Sequence, residues 1–585
     1  MWILGITNND LSGAAIVEDD RIIAAVSEER FTRIKDYKGW PANSIEFVLS
    51  EAGISLFDID RIGYGWSRGF DPSRHLDLYL DRAAEFNSTE LDEFKIFKNR
   101  IFAEFRNDLA PRNEVLKWAR SEGVSDQLTL LDHHECHAYG AFCMSPFTDA
   151  LVVTCDGRGD FQSLTISSFI NGTQQILHRE TSSDSLGYFY GRITNLLGFR
   201  ANRHEGKVLG LAGYGKPSDA TALMEKMITF NERGIRAHLG KYFVPFYDHI
   251  SDELYEEFTK FSKEDIAYAA QTHLESILTQ LVGHYARKTG LSKLCVAGGI
   301  FANVKLNRSL AELESIDDLF VLPCMGDGGL ALGAAVAIPY LENGIRAQLH
   351  SMRLGPSFSD YYPELYLIDE PNNFQACDYS SVEEVVMEMY STLLDFRVIG
   401  VVRGRAEFGP RALCNRSILC RPDIPEINDV LNARLKRSEF MPFAPVVAVE
   451  LAERCFQSWA PNHTCTNYMT RTYSVTNLFR GRCPGAVHID GTARPQIVRS
   501  EDDPTIHALL IKLYQEVGVP ALINTSFNTH EEPIINGPKE AVSALSNGQV
   551  DALFINDRWK LLCKSEVLDS VQYIERYAAV PASVI

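Results

Sequence analysis

The sequence holds no CxxC pair, although twelve cysteines are scattered through its 585 residues. That excludes a zinc ribbon, and dispersed thiols point to a reducing compartment rather than a disulfide framework. Long apolar runs are also missing. The longest, Leu330 to Leu341, has 12 residues and contains Pro339, whereas a spanning helix needs about 18 or more. No basic leader precedes the opening apolar run, which turns polar at Asn8, so no secretory signal is expected and the chain reads as cytoplasmic, without a membrane partner. Positive charge is scarce: 57 Lys and Arg stand against 77 Asp and Glu, a net charge of −20. An open nucleic-acid surface needs a basic face, so no nucleic-acid partner is expected. A local site for a small anion remains compatible with that balance. Neither an internal repeat nor a low-complexity tract is evident.

The remainder is ordinary for a globular enzyme, with 45% hydrophobic and 23% charged residues. Single cores rarely exceed roughly 250–300 residues, so two or more domains are expected. Trp2–Thr7, Ala14–Val17 and Arg21–Val26 read as strands, the last two joined tightly enough for a hairpin. A helix is expected over Ser44–Ala52, capped by Asn43 or Ser44. The charged stretch 75–120 reads as surface helices. Ala150–Cys155, Leu294–Ala297 and Phe320–Cys324 read as buried strands that run into Asp156-Gly157, Gly298-Gly299 and Gly326–Gly329. Strands ending in Asp or paired Gly fit an α/β sheet whose ligand lies beyond the strand ends. Irregular text over 346–379 reads as a linker between domains at 1–345 and 380–585. The second domain opens with a helix near Ser381 and continues through strands at Arg397–Val402, Pro520–Ile523 and Ala552–Ile555.

Three of the 15 histidines fall within Asp132-His133-His134-Glu135-Cys136-His137. On a helix His133 and His137 share a face and would grip one metal ion, while the plain alternative is a helix start capped by Asp132. Asp156 and Asp327 at strand ends would complete a four-ligand set, although Asp before Gly is also a common turn pair. Two imidazoles and two carboxylates suit iron(II), manganese or zinc alike. Gly298 and Gly299 would bring backbone amides close to an adenylate, or merely form a tight turn. Residues 401–440 carry eight Lys and Arg against five Asp and Glu, a positive island that would draw small polyanions to one spot. Arginine forks match phosphate oxygens there.

His133-His134-x-x-His137-Ala138, followed by Asp156-Gly157, resembles the NodU/CmcH family of carbamoyltransferases, relatives of the TsaD-type transferases. Ser27–Arg33, Glu205–Ala212 and Gly298–Asn303 carry the same resemblance, which runs in order along nearly the whole chain. It implies an α/β architecture: a ribonuclease-H-like (ASKHA, TsaD-like) domain followed by a YrdC-like domain. It further implies a metal, by custom iron(II), on His133, His137, Asp156 and Asp327, with Lys207, Gly298, Gly299 and Asn303 at the adenylate. In the second domain it places Lys436, Arg494, Ser526 and Asn528 at carbamoyl phosphate, next to Arg437. Arg405, Arg411 and Arg416 are left either to ATP phosphates or to loop structure. The implied reaction joins carbamoyl phosphate to ATP, with magnesium, as carbamoyladenylate, then transfers the carbamoyl group to a hydroxyl or amine of a small-molecule acceptor. A natural product is the expected acceptor class, and a homodimer is implied by family analogy alone. The family often carries His-Asp after the first strand where this chain has Asn9-Asp10, so Asp10 becomes the candidate base. Cys414 stands where glycine is common, and no glycine closes Asn528-Thr529-His530-Glu531. Trp66, Tyr188, Tyr190 and Arg192 are candidates for the acceptor wall or for core packing. A TsaD-like tRNA-modifying enzyme and a non-catalytic nucleotide-binding regulator are the competing readings; the −20 charge opposes the first, and retention of all candidate ligands opposes the second.

Overall fold

The computed structural model describes residues 1–66, 69–87, 89–247, 250–359, 373–438 and 440–563. Of the expected linker, 360–372 lie outside the described residues, as do 564–585 of the expected second domain. The chain divides into two compact units, Met1–Glu28 with Asp36–His350, and Glu29–Lys35 with Ser351–Ile585. Residues 29–35 therefore group with the second unit, where Arg33 donates to the carbonyls of Pro533 (2.9 Å) and Ile534 (2.8 Å).

In the first unit β1 (Trp2–Thr7), β2 (Gly13–Glu18), β3 (Arg21–Ser27), β4 (Arg61–Tyr64) and β5 (Leu128–Leu130) form a sheet of order β3-β2-β1-β4-β5. The first three strands are antiparallel, and β4 and β5 join parallel to β1. A second sheet uses β6 (Ala150–Gly159), β7 (Gln162–Ile170) and β8 (Thr173–Thr181). After a small hairpin of β9 (Ile228–Asn231) and β10 (Gly234–Ala237), it is completed by β11 (Lys293–Ala297) and β12 (Asp318–Val321). Its order, β8-β7-β6-β11-β12, and its strand senses repeat those of the first sheet. The unit is thus a ribonuclease-H-like motif built twice. The duplication is absent from the sequence because the two copies share strand order but carry insertions of different length after their third strands. In each copy the last strand leads to a buried helix, His133–Met144 or Leu330–Asn343, and these two pack together.

Two local expectations are corrected. The first helix is Ala42–Ala52, and neither Asn43 nor Ser44 caps it with its own side chain. The buried Glu28 carboxylate instead accepts from the amides of Asn43 (3.2 Å) and Ser44 (2.8 Å), matching an anion to the positive end of the helix. The insertion between β4 and β5 does form helices, Pro72–Ala84 and Leu91–Ser121. The second is not a plain surface helix: Arg100, Glu104 and Asp108 point inward while Phe102, Phe105 and Leu109 are exposed.

The second unit is α/β around a mixed sheet. Its strands are β13 (Phe374–Asp378), β14 (Ile399–Val402), β15 (Arg416–Cys420), β16 (Ala444–Ala448), β17 (Tyr473–Ser474), β18 (Thr492–Ala493), β19 (Gln496–Val498), β20 (Ala521–Ser526), β21 (Ala552–Ile555) and β22 (Trp559–Cys563). Eight of them follow the order β13-β22-β21-β14-β15-β20-β16-β19, and β17 pairs with β18. The helix expected near Ser381 is Val382–Leu394, capped by the Ser381 side chain, and it packs on Pro504–Val517 over one continuous apolar core. Among the described residues no helix is long and apolar enough to cross a membrane.

Candidate functional site

Asp132 caps the helix His133–Met144, its carboxylate accepting from the Glu135 amide at 3.1 Å, and the next turn carries His133 and His137 on one face. Asp156 lies within β6, and Asp327 opens the turn after β12. All four side chains converge: His137 Nε2 lies 3.0 Å from Asp156 Oδ2 and 3.6 Å from Asp327 Oδ1, and His133 Nε2 lies 3.4 and 3.7 Å from the same atoms. Their donor atoms fall within 4.8 Å of one another. Both imidazoles are fully buried, and Asp327 Oδ1 is buried without a hydrogen bond. Two imidazoles and two carboxylates, with His137 Nε2 and Asp327 Oδ1 buried and lacking hydrogen-bond partners, fit a divalent cation, and this buried His/Asp group has the arrangement to hold one.

The charges explain the fit. Burial opposes charging His137, yet the Asp156 carboxylate, with Asp327 beside it, outweighs that cost and holds the imidazole up to about 9. Burial likewise works against Asp156, but His137 and His133 keep its carboxyl well below the usual range. Asp327, buried and next to the like charge of Asp156, is pushed up. A cation would replace the proton that this arrangement otherwise retains.

The surroundings fix these ligands in place. The Gly299 amide donates to Asp156 Oδ1, and Gly298 turns the chain toward it with φ 105°, where a Cβ would lie 2.2 Å from the Cys155 carbonyl oxygen. A Cβ on Gly159 would meet the His133 ring at 2.1 Å. Trp66 sets its ring edgewise to His133, centroids 4.3 Å apart. The guanidinium of Arg158 lies 5.4 Å over Trp66 and is bound by Glu104 (2.8 Å) and Asp108 (2.7 Å). Asp160 accepts from the His133 amide at 2.9 Å. Gly298, Gly299 and Trp66 apart, the sequence reading missed these neighbours. A signal was present, because Arg100, Glu104 and Asp108 recur every four residues, but charge on a helix reads as solvent-facing.

Other candidates in this unit fall as follows. Asp10 is ion-paired with Lys38 and partly exposed, in a loop whose Leu11 lies 3.5 Å from where a Gly328 Cβ would be, beside the Asp327 turn. The Gly298 amide donates to the Met325 carbonyl (2.7 Å), so the amides of both Gly298 and Gly299 are engaged within the chain. Asn303 caps the helix Val304–Ala311 and exchanges hydrogen bonds with Gln271 (2.8 and 3.1 Å). Lys207 is buried with its ammonium 5.9 Å over the Phe199 ring. Trp66, Tyr188, Tyr190 and Arg192 are all core residues at 4% exposure or less.

In the second unit the Lys-Arg and Ser-x-Asn elements meet. Arg437 donates to Thr525 Oγ1 (2.9 Å), Ser526 Oγ (3.1 Å) and Asn528 Oδ1 (2.8 Å), while Lys436, at φ 53°, is exposed. Arg416 is fully buried and donates to the carbonyls of Asn536, Arg403, Gly404, Asn415 and Pro356. Arg405 donates to those of Gly355 and Leu354. Of the two roles open to these arginines, loop structure is the one these contacts describe. Arg411 and Arg494 are half-buried, Arg494 on the link between β18 and β19.

The fold and the site together define a two-unit α/β protein with a buried His/Asp group in its first unit. Residues 2–336 match the Carbamoyltransferase N-terminus and residues 391–561 the Carbamoyltransferase C-terminus. The chain is 29% identical over 560 residues to the uncharacterized protein MJ1051 of Methanocaldococcus jannaschii, covering 95% of this chain and 98% of that one. It is 32% identical over 551 residues to the nodulation protein NolNO of Sinorhizobium fredii (93% and 77%). It is 28% identical over 437 residues to the 3'-hydroxymethylcephem-O-carbamoyltransferase of Amycolatopsis lactamdurans (73% and 79%). The chain belongs to the carbamoyltransferase family and is an enzyme of that kind.

Proposed function

We propose that the chain activates carbamoyl phosphate with ATP and passes the carbamoyl group to a hydroxyl or amine of a small molecule. Carbamate is a poor electrophile, so a mixed anhydride with AMP is a chemically sensible intermediate. The second unit forms it. Lys436 is its exposed cation beside the Ser526–Asn528 element that Arg437 organises, and Lys436, Arg494 and Ser526 meet the phosphates of the incoming substrates. Water cleaves carbamoyl phosphate to carbamate and phosphate, a carbamate oxygen then attacks the α-phosphorus of ATP, and pyrophosphate leaves.

The first unit performs the transfer. His133, His137, Asp156 and Asp327 would hold a divalent ion, iron(II) by family custom, and their convergence is the single observation that carries this half of the reading. Such an ion supplies a Lewis acid for charge building on a phosphate leaving group. The chain's own residues fix that site: Gly299 and Asp160 hold Asp156 and the His133 helix start. Asp10 takes the acceptor's proton, because Asn9 cannot accept one, and Lys38 holds the Asp10 carboxylate in place. A relative named for acting on a hydroxymethylcephem supports a natural product with a free hydroxyl as acceptor. The test is pyrophosphate release from ATP. Release that requires carbamoyl phosphate is expected; release without it, or none with it, sinks the reading.

A further inference from the structure

The second unit contains a buried polar cluster that none of the roles above employs. Asn524 lies on β20 two residues before Ser526, so the two share a face of the sheet. Gln496 opens β19 two residues after Arg494. The Asn524 side-chain amide donates to Gln496 Oε1 at 2.6 Å, which puts Gln496 on that same face. Ser417, paired opposite Ser526, accepts from the Cys414 amide at 2.9 Å. Cys414, held at φ 75°, turns its sulfur toward both amides, 3.3 Å from Asn524 Nδ2 and 3.5 Å from Gln496 Oε1.

The bonds leave one atom over. Asn524 Nδ2 serves Gln496, the Ala412 carbonyl (3.1 Å) and Cys414, whereas Asn524 Oδ1 is buried with no partner. Asn524 as a whole is 1% exposed. Native chains seldom leave a buried acceptor unpaired, because each one costs about 1–3 kcal/mol. Gln496 dictates which end of the amide is orphaned: its oxygen takes the Asn524 N–H and so turns Oδ1 the other way. The missing partner is therefore a hydrogen-bond donor, a role an amino N–H can fill. One pleat along β20 is about 6.6–7 Å, a distance that carbamoyl phosphate spans when its phosphate lies at Ser526 and its amino group points inward.

We propose that Asn524, oriented by Gln496, accepts an N–H from the carbamoyl amino group and selects carbamoyl phosphate against acyl phosphates of the same shape. Acetyl phosphate carries a methyl group at that position and would leave Oδ1 unpaired. The selection rests on the reading of the second unit as the carbamoyl phosphate site. Asn524 is a specificity-determining residue, and Gln496 is a positioning residue acting through it.

The experiment compares pyrophosphate release by the full chain with carbamoyl phosphate and with acetyl phosphate, each with ATP and magnesium. The wild type should strongly prefer carbamoyl phosphate in kcat/KM. Asn524→Leu should cut that preference about tenfold to a hundredfold, chiefly by lowering the carbamoyl phosphate value, and Gln496→Leu should do so to a smaller extent. A measurement that needs no variant is the thermal unfolding of the wild type, which carbamoyl phosphate should raise and acetyl phosphate should not. Wild-type release with carbamoyl phosphate that Asn524→Leu lowers equally for both substrates overturns the selection alone. So does a wild type that uses or binds the two equally. A wild type inactive with carbamoyl phosphate overturns the parent reading, and the selection with it.

Discussion

Arg437 grips Asn528 twice, donating to its backbone carbonyl at 2.7 Å and to its side-chain oxygen at 2.8 Å. The guanidinium also reaches the Ser526 carbonyl and hydroxyl. The two members of the Lys-Arg pair are therefore not equivalent. One is a clamp on the loop, and the other is an exposed ammonium on a left-handed residue.

Lys436→Ala should accordingly abolish carbamoyl-phosphate-dependent pyrophosphate release while leaving Tm within about 2 °C, since an exposed substitution rarely exceeds about 0.5 kcal/mol. Carbamoyl transfer from supplied carbamoyladenylate should persist. Arg437→Ala should instead lower stability by about 2–4 kcal/mol, because it strands several acceptors. Equal loss of both half-reactions in Lys436→Ala would contradict the division of labour between the units.

Gly298→Ala should damage the first unit through geometry. The position sits at φ 105°, and its new Cβ would press on the Cys155 carbonyl next to Asp156. A loss of about 2 kcal/mol or more is expected, together with reduced metal uptake measured by elemental analysis. A variant that folds and loads metal like the wild type would show that this turn does not set the Asp156 carboxylate.

Much of this was legible in the sequence, and the reasons differ by element. The strands before Asp156, Gly298 and Gly326 declared themselves because a buried apolar run that stops at Asp or Gly has few other uses. His133 and His137 were readable from helical spacing, but their meeting with Asp327, 190 residues beyond His137, needed either the resemblance or the fold. The doubled sheet order was invisible, since strand order leaves no trace in composition. Arg405 and Arg416 were open to ATP phosphates or to loop structure, and their donors turn to backbone carbonyls. Sequence carries the charge of an arginine but not which oxygens surround it. The helix Leu91–Ser121 misled for the opposite reason: its buried charges are paired across the unit with Arg158, a partner outside any local window.

Asp156→Asn should remove metal binding and also destabilise the metal-free chain. It leaves the His137 imidazole buried without the carboxylate that favours its charge, and breaking a buried pair costs about 3–5 kcal/mol. Chemical denaturation in the presence of a chelator would read this directly. If instead the variant is as stable as wild type under chelation, the pair carries no net weight.

Metal binding should release protons, and the sign follows from His137. Its imidazole is held up to about 9 by Asp156 in the metal-free chain, above an ordinary histidine near 6.5. The pair's contribution to metal-free stability is therefore complete below about pH 6.5 and fades as pH rises through about 9. A cation needs the neutral imidazole, so it must displace that proton. Apparent affinity for a divalent ion should then rise up to about tenfold per pH unit from pH 7 to 8.5. Calorimetry at pH 7.5 in buffers of different ionisation enthalpy should show about one proton released per ion. His137→Ala should lose both the proton release and tight binding, whereas His134→Ala, outside the four-ligand set, should retain the proton release. Affinity independent of pH across that range would mean that His137 is neutral before the ion arrives, and that the carboxylates alone set the strength of the site.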